Sequence, residues 1–204
     1  MLTYPSIPKI VQNVPVYAMD KLDGSNIRVE WSKKSGFNKF GSRTRLLDPT
    51  EKPLGEAVGL FMDTMAEDLE PVLHKLKNER VTLFMEFFGE TSFAGNHKED
   101  EEHKLVLFDA SLYKKGFMQP KEFLKTFDEV VETPGLLHYG KPNGDFLELV
   151  RSGELEGMTF EGVVCKSQEL VRNQQVVFKV KNEAWLKRLR EFTKGDAELF
   201  KKLA

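Results

Sequence analysis

The chain has 204 residues, of which 40% are hydrophobic and 30% are charged, so it is able to bury the core of one globular domain. Lysines and arginines number 30 against 32 aspartates and glutamates, so the total charge does not by itself indicate a nucleic-acid-binding protein. Any basic surface must therefore arise from local clustering of lysines and arginines.

The sequence carries no sign of secretion or of a membrane segment. Its one cysteine, Cys165, excludes an internal disulfide. The first ten residues lack the basic and then apolar pattern of a signal peptide, and no apolar run is long enough to cross a bilayer. We expect a cytoplasmic protein without membrane contact; a phage-encoded protein that acts in the cytoplasm of its host fits the same pattern.

The first part of the chain is predicted to form strands joined by tight turns. Residues 14–19 are apolar enough for a short buried strand, and Asp23 and Gly24 follow it as a turn. Residues 26–31 alternate between apolar and polar side chains, which indicates a strand with one solvated face. Residues 37–43 are predicted to return beside that strand as the second half of a hairpin.

Helices and further strands alternate irregularly in the rest of the chain. Apolar residues at helical spacing predict a helix over residues 55–78, with a break or kink at Pro71. Further strands are predicted at residues 81–89, 104–113, 159–167 and 175–182, the last two as a possible pair, and further helices at residues 119–131, 144–153, 183–192 and 196–204. This order predicts an α+β domain with mainly antiparallel sheets flanked by helices.

Ionised side chains interrupt several of these apolar strands, where a charge is costly unless it is paired or faces a polar cavity. They are Lys21, Glu86, Glu161, Lys166, Lys179 and Lys181. Residues two apart on a strand share a face, so Lys179 and Lys181 project together. An edge strand with one solvated face would explain any one of these six charges taken alone, but it is a poor explanation for all six. Lysines with glutamates suit a polyphosphate and its Mg²⁺. A lysine beside other cations loses its proton more readily, which makes Lys21 a candidate nucleophile.

The segments that carry these charges resemble, in order, the motifs of the covalent nucleotidyltransferase superfamily of ATP-dependent polynucleotide ligases and mRNA capping enzymes. The matching segments are residues 21–24 (KLDG), 42–44 (SRT), 85–89 (MEFFG), 105–110 (LVLFDA), 161–166 (EGVVCK) and 178–182 (FKVKN). The ordered set is far more specific than KLDG alone. The resemblance implies a single ligase-type adenylyltransferase domain over residues 1–204, similar to the ATP-grasp fold.

The resemblance implies a three-step joining reaction that uses ATP and Mg²⁺ or Mn²⁺. Lys21 would attack the α-phosphate of ATP, release pyrophosphate and carry AMP as a phosphoramidate. The AMP would pass to the 5′-phosphate of a nucleic-acid end. A 3′-hydroxyl would then displace AMP and seal the strand.

The same resemblance implies roles for the other motif residues in binding the nucleotide. Phe108 would stack on adenine and Glu86 would bind the ribose. Asn26 and Lys166 are expected to contribute to the same nucleotide site.

Other motif residues are implied in the chemistry at phosphorus. Glu161 would serve both the metal ion and the nucleophile, and Asp23 would lie near the 3′-hydroxyl and the metal. Lys179 and Lys181 would contact the α-phosphate and stabilise charge as the leaving group departs. Arg43 would bind the incoming 5′-phosphate.

The resemblance within the superfamily is to nick-sealing phage RNA ligases and RNA-editing ligases. DNA ligases typically carry arginine at the position of Asn26, whereas the Gly-Ser-Asn ending is similar to that of the RNA ligases. Those enzymes usually have histidine where this chain has Asp23. We expect a monomeric RNA ligase that acts on RNA ends, including nicked duplexes or RNA–DNA hybrids.

The residues after Lys181 are too few for the OB-fold domain of DNA ligases and capping enzymes, and the helical C-terminal domain of RNA ligases is also absent or vestigial. We therefore expect a catalytic domain alone. Two alternatives are a minimal DNA ligase that seals nicks and an end-binding module without chemistry.

Outside the motifs, Trp31 and Trp185 are expected to pack rather than stack on bases, and a basic helix with Lys187 is a candidate for phosphate contact.

Overall fold

The computed structural model of the protein describes residues 1–90, Ser92 and residues 100–204. The described residues form nine strands: β1 Val16–Asp20, β2 Ser25–Ser32, β3 Gly36–Ser42, β4 Arg80–Phe88, β5 Lys104–Leu112, β6 Gly116–Phe117, β7 Leu136–Gly140, β8 Gly162–Val171 and β9 Gln174–Lys181. They also form six helices: α1 Glu56–Thr64, α2 Ala66–Lys75, α3 Pro120–Phe127, α4 Gly144–Ser152, α5 Glu183–Phe192 and α6 Ala197–Leu203.

Two compact units make up the described chain, and each contains one antiparallel sheet. Unit 1 contains Met1–Ser6, residues 24–90 and residues 100–134, and its sheet has the strand order β3-β2-β4-β5-β6. Unit 2 contains Ile7–Asp23, Ser92 and Gly135–Ala204, and its sheet has the order β7-β1-β8-β9.

The sheet of unit 1 separates an apolar core from a polar face. Strand β2 places Ile27, Val29 and Trp31 in the core, together with residues of α1, α2 and α3. Because side chains alternate along a strand, the residues between them point to the other face. Asn26 lies there directly opposite Glu86 of β4, so the antiparallel register places two predicted site residues side by side.

The sheet of unit 2 has the same two-faced construction. Val163 of β8 and Phe178 and Val180 of β9 are buried against Phe146 of α4. The alternate positions of β8 and β9 therefore face away from this core. The lysines at these alternate positions therefore lie on the side of the sheet opposite the core.

The predicted fold class is confirmed, since the protein is α+β and both sheets are antiparallel. Each predicted strand corresponds to an observed one, and the predicted pair at residues 159–167 and 175–182 forms as β8 and β9. Strands β6 and β7 were not anticipated. That the chain forms one single domain stays a prediction.

The break in the long predicted helix lies at a different residue from the one expected. The helix divides at Met65, where φ is −132°, and Pro71 lies inside α2. A proline inside a helix removes one backbone hydrogen bond, and here it does so without ending the helix. The prediction of a break or kink at Pro71 was therefore wrong about the position of the break.

None of the helices within the described ranges combines the length and the hydrophobicity needed to cross a membrane. Cys165 is buried in the core of unit 2.

Candidate active site

Lys21 stands at the end of β1 in unit 2, where the strand gives way to a turn. Its backbone N–H donates to the carbonyl of Gly162 at 2.9 Å, which extends the pairing of β1 and β8 by one residue. Tyr17, Met19 and Lys21 have the same parity, so the lysine continues the face of β1 that points away from the core. Its side chain is 20% exposed.

Glu161 holds two lysines with one carboxylate. The ammonium group of Lys21 donates to Oε2 of Glu161 at 2.7 Å. The ammonium group of Lys181 donates to the other oxygen, Oε1. Glu161 and Lys181 are both buried. Lys21 and Lys181 are far apart in sequence, and this carboxylate brings their two amines into one site.

Gly162 allows the backbone of Glu161 to approach the neighbouring strand closely enough for this contact. Its φ is +132°, and a Cβ atom there would lie 2.1 Å from the carbonyl oxygen of Val180. Glycine is the residue that adopts this conformation and tolerates this approach. The carbonyl of Glu161 in turn accepts from the backbone N–H of Asn182 at 3.0 Å. Backbone hydrogen bonds therefore hold Glu161 against the end of β9 and Gly162 against Lys21.

The environment of Lys181 favours its neutral form. Burial lowers its pKa from 10.5 to about 7, and the positive charges of Lys21 and Lys179 act in the same direction. The negative charge of Glu161 opposes this shift. Two ammonium groups on one carboxylate carry a net positive charge, and loss of one proton leaves a neutral cluster that costs less to bury.

Lys179 and Lys166 lie on the same side of the unit 2 sheet as Lys181. Lys179 faces Val164 across β8 and β9, and Lys181 faces Gly162, so both lysines project from the side opposite the core. Lys166 has the same parity as Val164 and is buried. The sheet thus places three lysines on one face, as the spacing of Lys179 and Lys181 predicted for that pair.

Asp23 reaches the lysine cluster through Trp185, a contact that the sequence did not indicate. The indole Nε1 of Trp185 donates to Oδ2 of Asp23 at 2.9 Å. The ammonium nitrogen of Lys181 lies 3.6 Å from the centroid of the same indole ring. Trp185 is buried, as its predicted packing role requires, but it also makes two polar contacts with predicted site residues.

The nucleotide-binding candidates of unit 1 lie on the polar face of its sheet. The side-chain oxygen of Asn26 is buried and accepts no hydrogen bond from the described residues. A buried acceptor without a donor is costly and indicates a site for a ligand donor. Glu86 lies directly opposite on β4.

Phe108 is half-buried and contacts an aromatic residue that was not predicted for the site. Its ring packs edge-on against Tyr4, with centroids 5.0 Å apart. The hydroxyl of Tyr4 donates to Asp109 at 2.8 Å, and burial raises the pKa of Tyr4 well above its ordinary value. Tyr4 lies outside the motif segments, and Asp109 lies within the segment 105–110 but was given no role there.

Arg43 is exposed at the end of the hairpin strand β3 in unit 1. One guanidinium nitrogen donates to the hydroxyl of Ser6 at 2.9 Å. An exposed guanidinium can bind a phosphate in a bidentate way, which agrees with the role implied for Arg43. That role, like the roles of the other site residues, stays a prediction.

The carboxylates of the site suit a metal ion that is held mainly by substrate. No group of three or more metal-ligating side chains occurs within the described residues. Mg²⁺ is commonly bound by one or two carboxylates together with phosphate oxygens and water. Glu161 and Asp23 therefore fit such an ion, although the oxygens of Glu161 also accept from the two lysines.

The fold and the site together define a nucleotidyltransferase-type RNA ligase catalytic domain. The sequence matches the RNA ligase family over residues 14–181, which is most of the chain. The protein therefore belongs to the RNA ligase family. Among proteins with curated descriptions, none matches the chain.

Solved structures of RNA ligases show the same fold. Naegleria gruberi RNA ligase with pyrophosphate is 18% identical, with a TM-score of 0.69, and the match covers 93% of this chain and 58% of that one. A mutant of that ligase with ATP and Mn gives the same identity and TM-score over 92% and 58%. An archaeal ATP-dependent RNA ligase is 15% identical, with a TM-score of 0.69, over 94% and 51%. The chain thus spans somewhat over half the length of these ligases.

Proposed function

We propose that the protein is an ATP-dependent RNA ligase that joins a 3′-hydroxyl end to a 5′-phosphate end through AMP bound covalently to Lys21. The single observation that carries this proposal is the carboxylate of Glu161, which is shared by Lys21 at 2.7 Å and by buried Lys181. Membership of the RNA ligase family supports the choice of chemistry and of RNA.

The shared carboxylate makes a neutral amine available near neutral pH. Lys21 and Lys181 contact the two oxygens of one carboxylate. Burial lowers the pKa of Lys181 to about 7, so near neutral pH this amine can be neutral and can take up a proton that Lys21 gives up. A neutral amine is the nucleophile, and Lys21, the more exposed of the two, is the one that substrate can reach.

In the first step the Lys21 nitrogen forms a bond to the α-phosphorus of ATP. The bond from that phosphorus to the bridging oxygen breaks, and pyrophosphate leaves with the bonding electrons. The nitrogen gives up a proton as the phosphoramidate forms. Lys179 and Lys181 lie on the same face of the sheet, so their ammonium groups stabilise the negative charge that builds up on the phosphate oxygens.

In the second step an oxygen of a 5′-phosphate attacks the AMP phosphorus, the phosphorus–nitrogen bond breaks and Lys21 regains a proton. In the third step a 3′-hydroxyl attacks the 5′-phosphorus and loses its proton to solvent. The bond from that phosphorus to the bridging oxygen breaks, AMP leaves with the bonding electrons and the strand is sealed. Arg43 binds the incoming 5′-phosphate, and the carboxylate of Asp23 lies near the 3′-hydroxyl.

Nucleotide binding is assigned to Asn26, Glu86, Phe108 and Lys166, as their motif positions imply. Phe108 stacks on the adenine, and Glu86 accepts from a ribose hydroxyl. The buried oxygen of Asn26 accepts a second hydrogen bond from the nucleotide, which satisfies a group that the described residues leave without a donor. Glu161 and Asp23 would hold Mg²⁺ or Mn²⁺, and the ion would neutralise charge on the phosphates.

The protein acts as a monomer in the cytoplasm on RNA ends, including nicked duplexes and RNA–DNA hybrids. Size-exclusion chromatography with light scattering tests the oligomeric state. The substrate class is tested separately below.

The adduct is tested by incubating the protein with ATP labelled at the α-phosphate and Mg²⁺. We expect labelled protein from the wild type and none from K21A. A matched control is K39A, because Lys39 also pairs with a buried glutamate, Glu30, at 2.9 Å in unit 1. Label on K21A, or none on the wild type, would contradict the proposal.

The substrate is tested with nicked duplexes that place RNA or DNA on either side of the nick, together with single-stranded RNA ends. We expect sealing that requires RNA at the 3′-hydroxyl side. A panel in which only all-DNA nicks are sealed would favour a minimal DNA ligase. Adduct formation without sealing of any end would contradict the joining reaction.

A further inference from the structure

Trp185 occupies a fixed place immediately after the last lysine of β9. Asn182 caps α5, since its side-chain oxygen accepts from the backbone N–H of Ala184 at 2.8 Å. The cap places Trp185 in the first turn of α5, three residues after Asn182. Only 2% of the residue is exposed, so the cap and the surrounding packing determine where the indole points.

The indole of Trp185 contacts Lys181 through its ring face and Asp23 through its Nε1–H group. Its face lies 3.6 Å from the ammonium nitrogen of Lys181, well within the range of a cation–π interaction. Its edge donates from Nε1 to Oδ2 of Asp23 at 2.9 Å. Trp185, which lies 162 positions after Asp23, therefore joins the KLDG segment to the end of β9.

We propose that Trp185 is a positioning residue for the adenylation of Lys21, acting through Lys181 and Asp23. This inference rests on the function proposed above. The indole fixes the Lys181 ammonium on one side of the Glu161 carboxylate and the Asp23 carboxylate at the exit of the Lys21 turn. It touches neither nucleotide nor RNA in this role.

A neutral aromatic residue suits this task better than a charged one. An N–H donor orients the carboxylate of Asp23 without cancelling its charge, whereas a lysine or arginine there would neutralise it. The ring face likewise excludes water from one side of the Lys181 ammonium while leaving its N–H groups directed elsewhere. Asp23 thus keeps a charge that a metal ion can use, and the Lys181 amine is held in one orientation beside Glu161.

The other tryptophan of the chain provides a matched control. Trp31 is fully buried in the core of unit 1, and its Nε1 has no hydrogen-bond partner within the described part of the chain. It was not assigned to the predicted site, and its ring packs edge-on against His74 with centroids 5.0 Å apart. W31F therefore reproduces the loss of a buried indole without touching the lysine cluster.

The test compares W185F, W185L and W31F in single-turnover formation of the labelled adduct. W185F keeps a ring over Lys181 and loses the donor to Asp23, so we expect adduct formation to slow about tenfold. W185L loses both contacts, and we expect about a hundredfold loss. The ATP concentration that gives half the maximal rate should stay unchanged, because Trp185 does not bind the nucleotide. W31F should form adduct at the wild-type rate.

A spectroscopic measurement tests the same inference without changing Trp185. The chain has two tryptophans, so W31F leaves Trp185 as the only indole fluorophore. Loading Lys21 with AMP is expected to remove its ion pair with Glu161 and so to change the electrostatic environment of Lys181 beneath the ring. We expect the emission of W31F to change with ATP and Mg²⁺ at the rate of adduct formation. The double variant W31F/K21A should not show this change.

Two results would overturn the inference while leaving the proposed function intact. One is a wild-type rate of adduct formation in W185L. The other is constant Trp185 emission during complete adduct formation by W31F. A wild-type protein that forms no adduct would instead overturn the proposed function, and this inference with it.

Discussion

Replacing Lys181 with methionine should make the protein less sensitive to pH and more stable at neutral pH, while abolishing adduct formation. In the wild type the buried ammonium shares Glu161 with Lys21, so two positive charges face one negative charge. Methionine has a similar length and no charge, and K181M leaves a neutral Lys21–Glu161 pair. Replacing a buried charge by an apolar side chain of similar size is often stabilising.

The pH dependence follows from the pKa of Lys181, which burial lowers from 10.5 to about 7. Between these two values the folded protein binds fewer protons at this group than the unfolded chain does, so the free energy of unfolding rises with pH. From about pH 7 to about pH 9 the expected gain from this one group is about 2 kcal/mol. Below the folded pKa both states are protonated, and the full cost of burying the charge remains.

The measurement is urea denaturation of both proteins, without nucleotide or divalent metal, at the two pH values. The wild type should gain about 2 kcal/mol more than K181M on going to the higher pH. Cys165 acts in the opposite direction, because burial raises its pKa to about 12 and the unfolded chain loses the thiol proton first. That contribution is the same in both proteins, so it cancels in the comparison.

An equal pH dependence in wild type and K181M would refute the reasoning. It would mean that Lys181 stays fully protonated over this range and that the shared carboxylate compensates for burial completely. The supply of a neutral amine at Lys21 would then need another cause.

Three further outcomes are expected. G162A should lower the free energy of unfolding, measured by urea denaturation, by about 2 kcal/mol or more. The reason is that Gly162 has a φ of +132° and an added Cβ would meet the carbonyl of Val180. A G162A variant as stable as the wild type would contradict this close approach. F108L should raise the ATP concentration needed for half-maximal adduct formation about tenfold, because stacking on a base is lost; an unchanged value would remove Phe108 from the adenine site. Cys165 should resist alkylation by iodoacetamide in the folded protein and react after denaturation, because burial raises the pKa of its thiol to about 12. Mass spectrometry measures the labelling. Rapid labelling of the folded protein would show that the thiol is accessible.

Local patterns in the sequence were sufficient to predict most of the elements. Alternation and apolar runs identified the strands that became β2, β4, β5, β8 and β9, because a strand buries every second side chain or both faces. The helix that ends at Gly153 was readable from its terminal glycine, which has a φ of +84°. Strand β7 escaped detection because it is a short edge strand whose exposure does not alternate clearly.

The position of the break between α1 and α2 was decided by the structure rather than by the sequence pattern. Pro71 was the obvious local signal, yet the chain leaves helical geometry at Met65. Residues of both helices are buried in the core of unit 1. Packing of this kind routinely outweighs local propensity.

By itself the sequence determined the α+β class with mainly antiparallel sheets, the order of the motifs and the identity of the lysines and glutamates in apolar strands, because these depend on residues close together in the chain. Only the tertiary structure decided that Lys21 and Lys181 share one carboxylate, and that Trp185 links Lys181 to Asp23. These contacts join residues up to 162 positions apart, and such distances depend on strand register and on the backbone approach at Gly162, which no local pattern encodes.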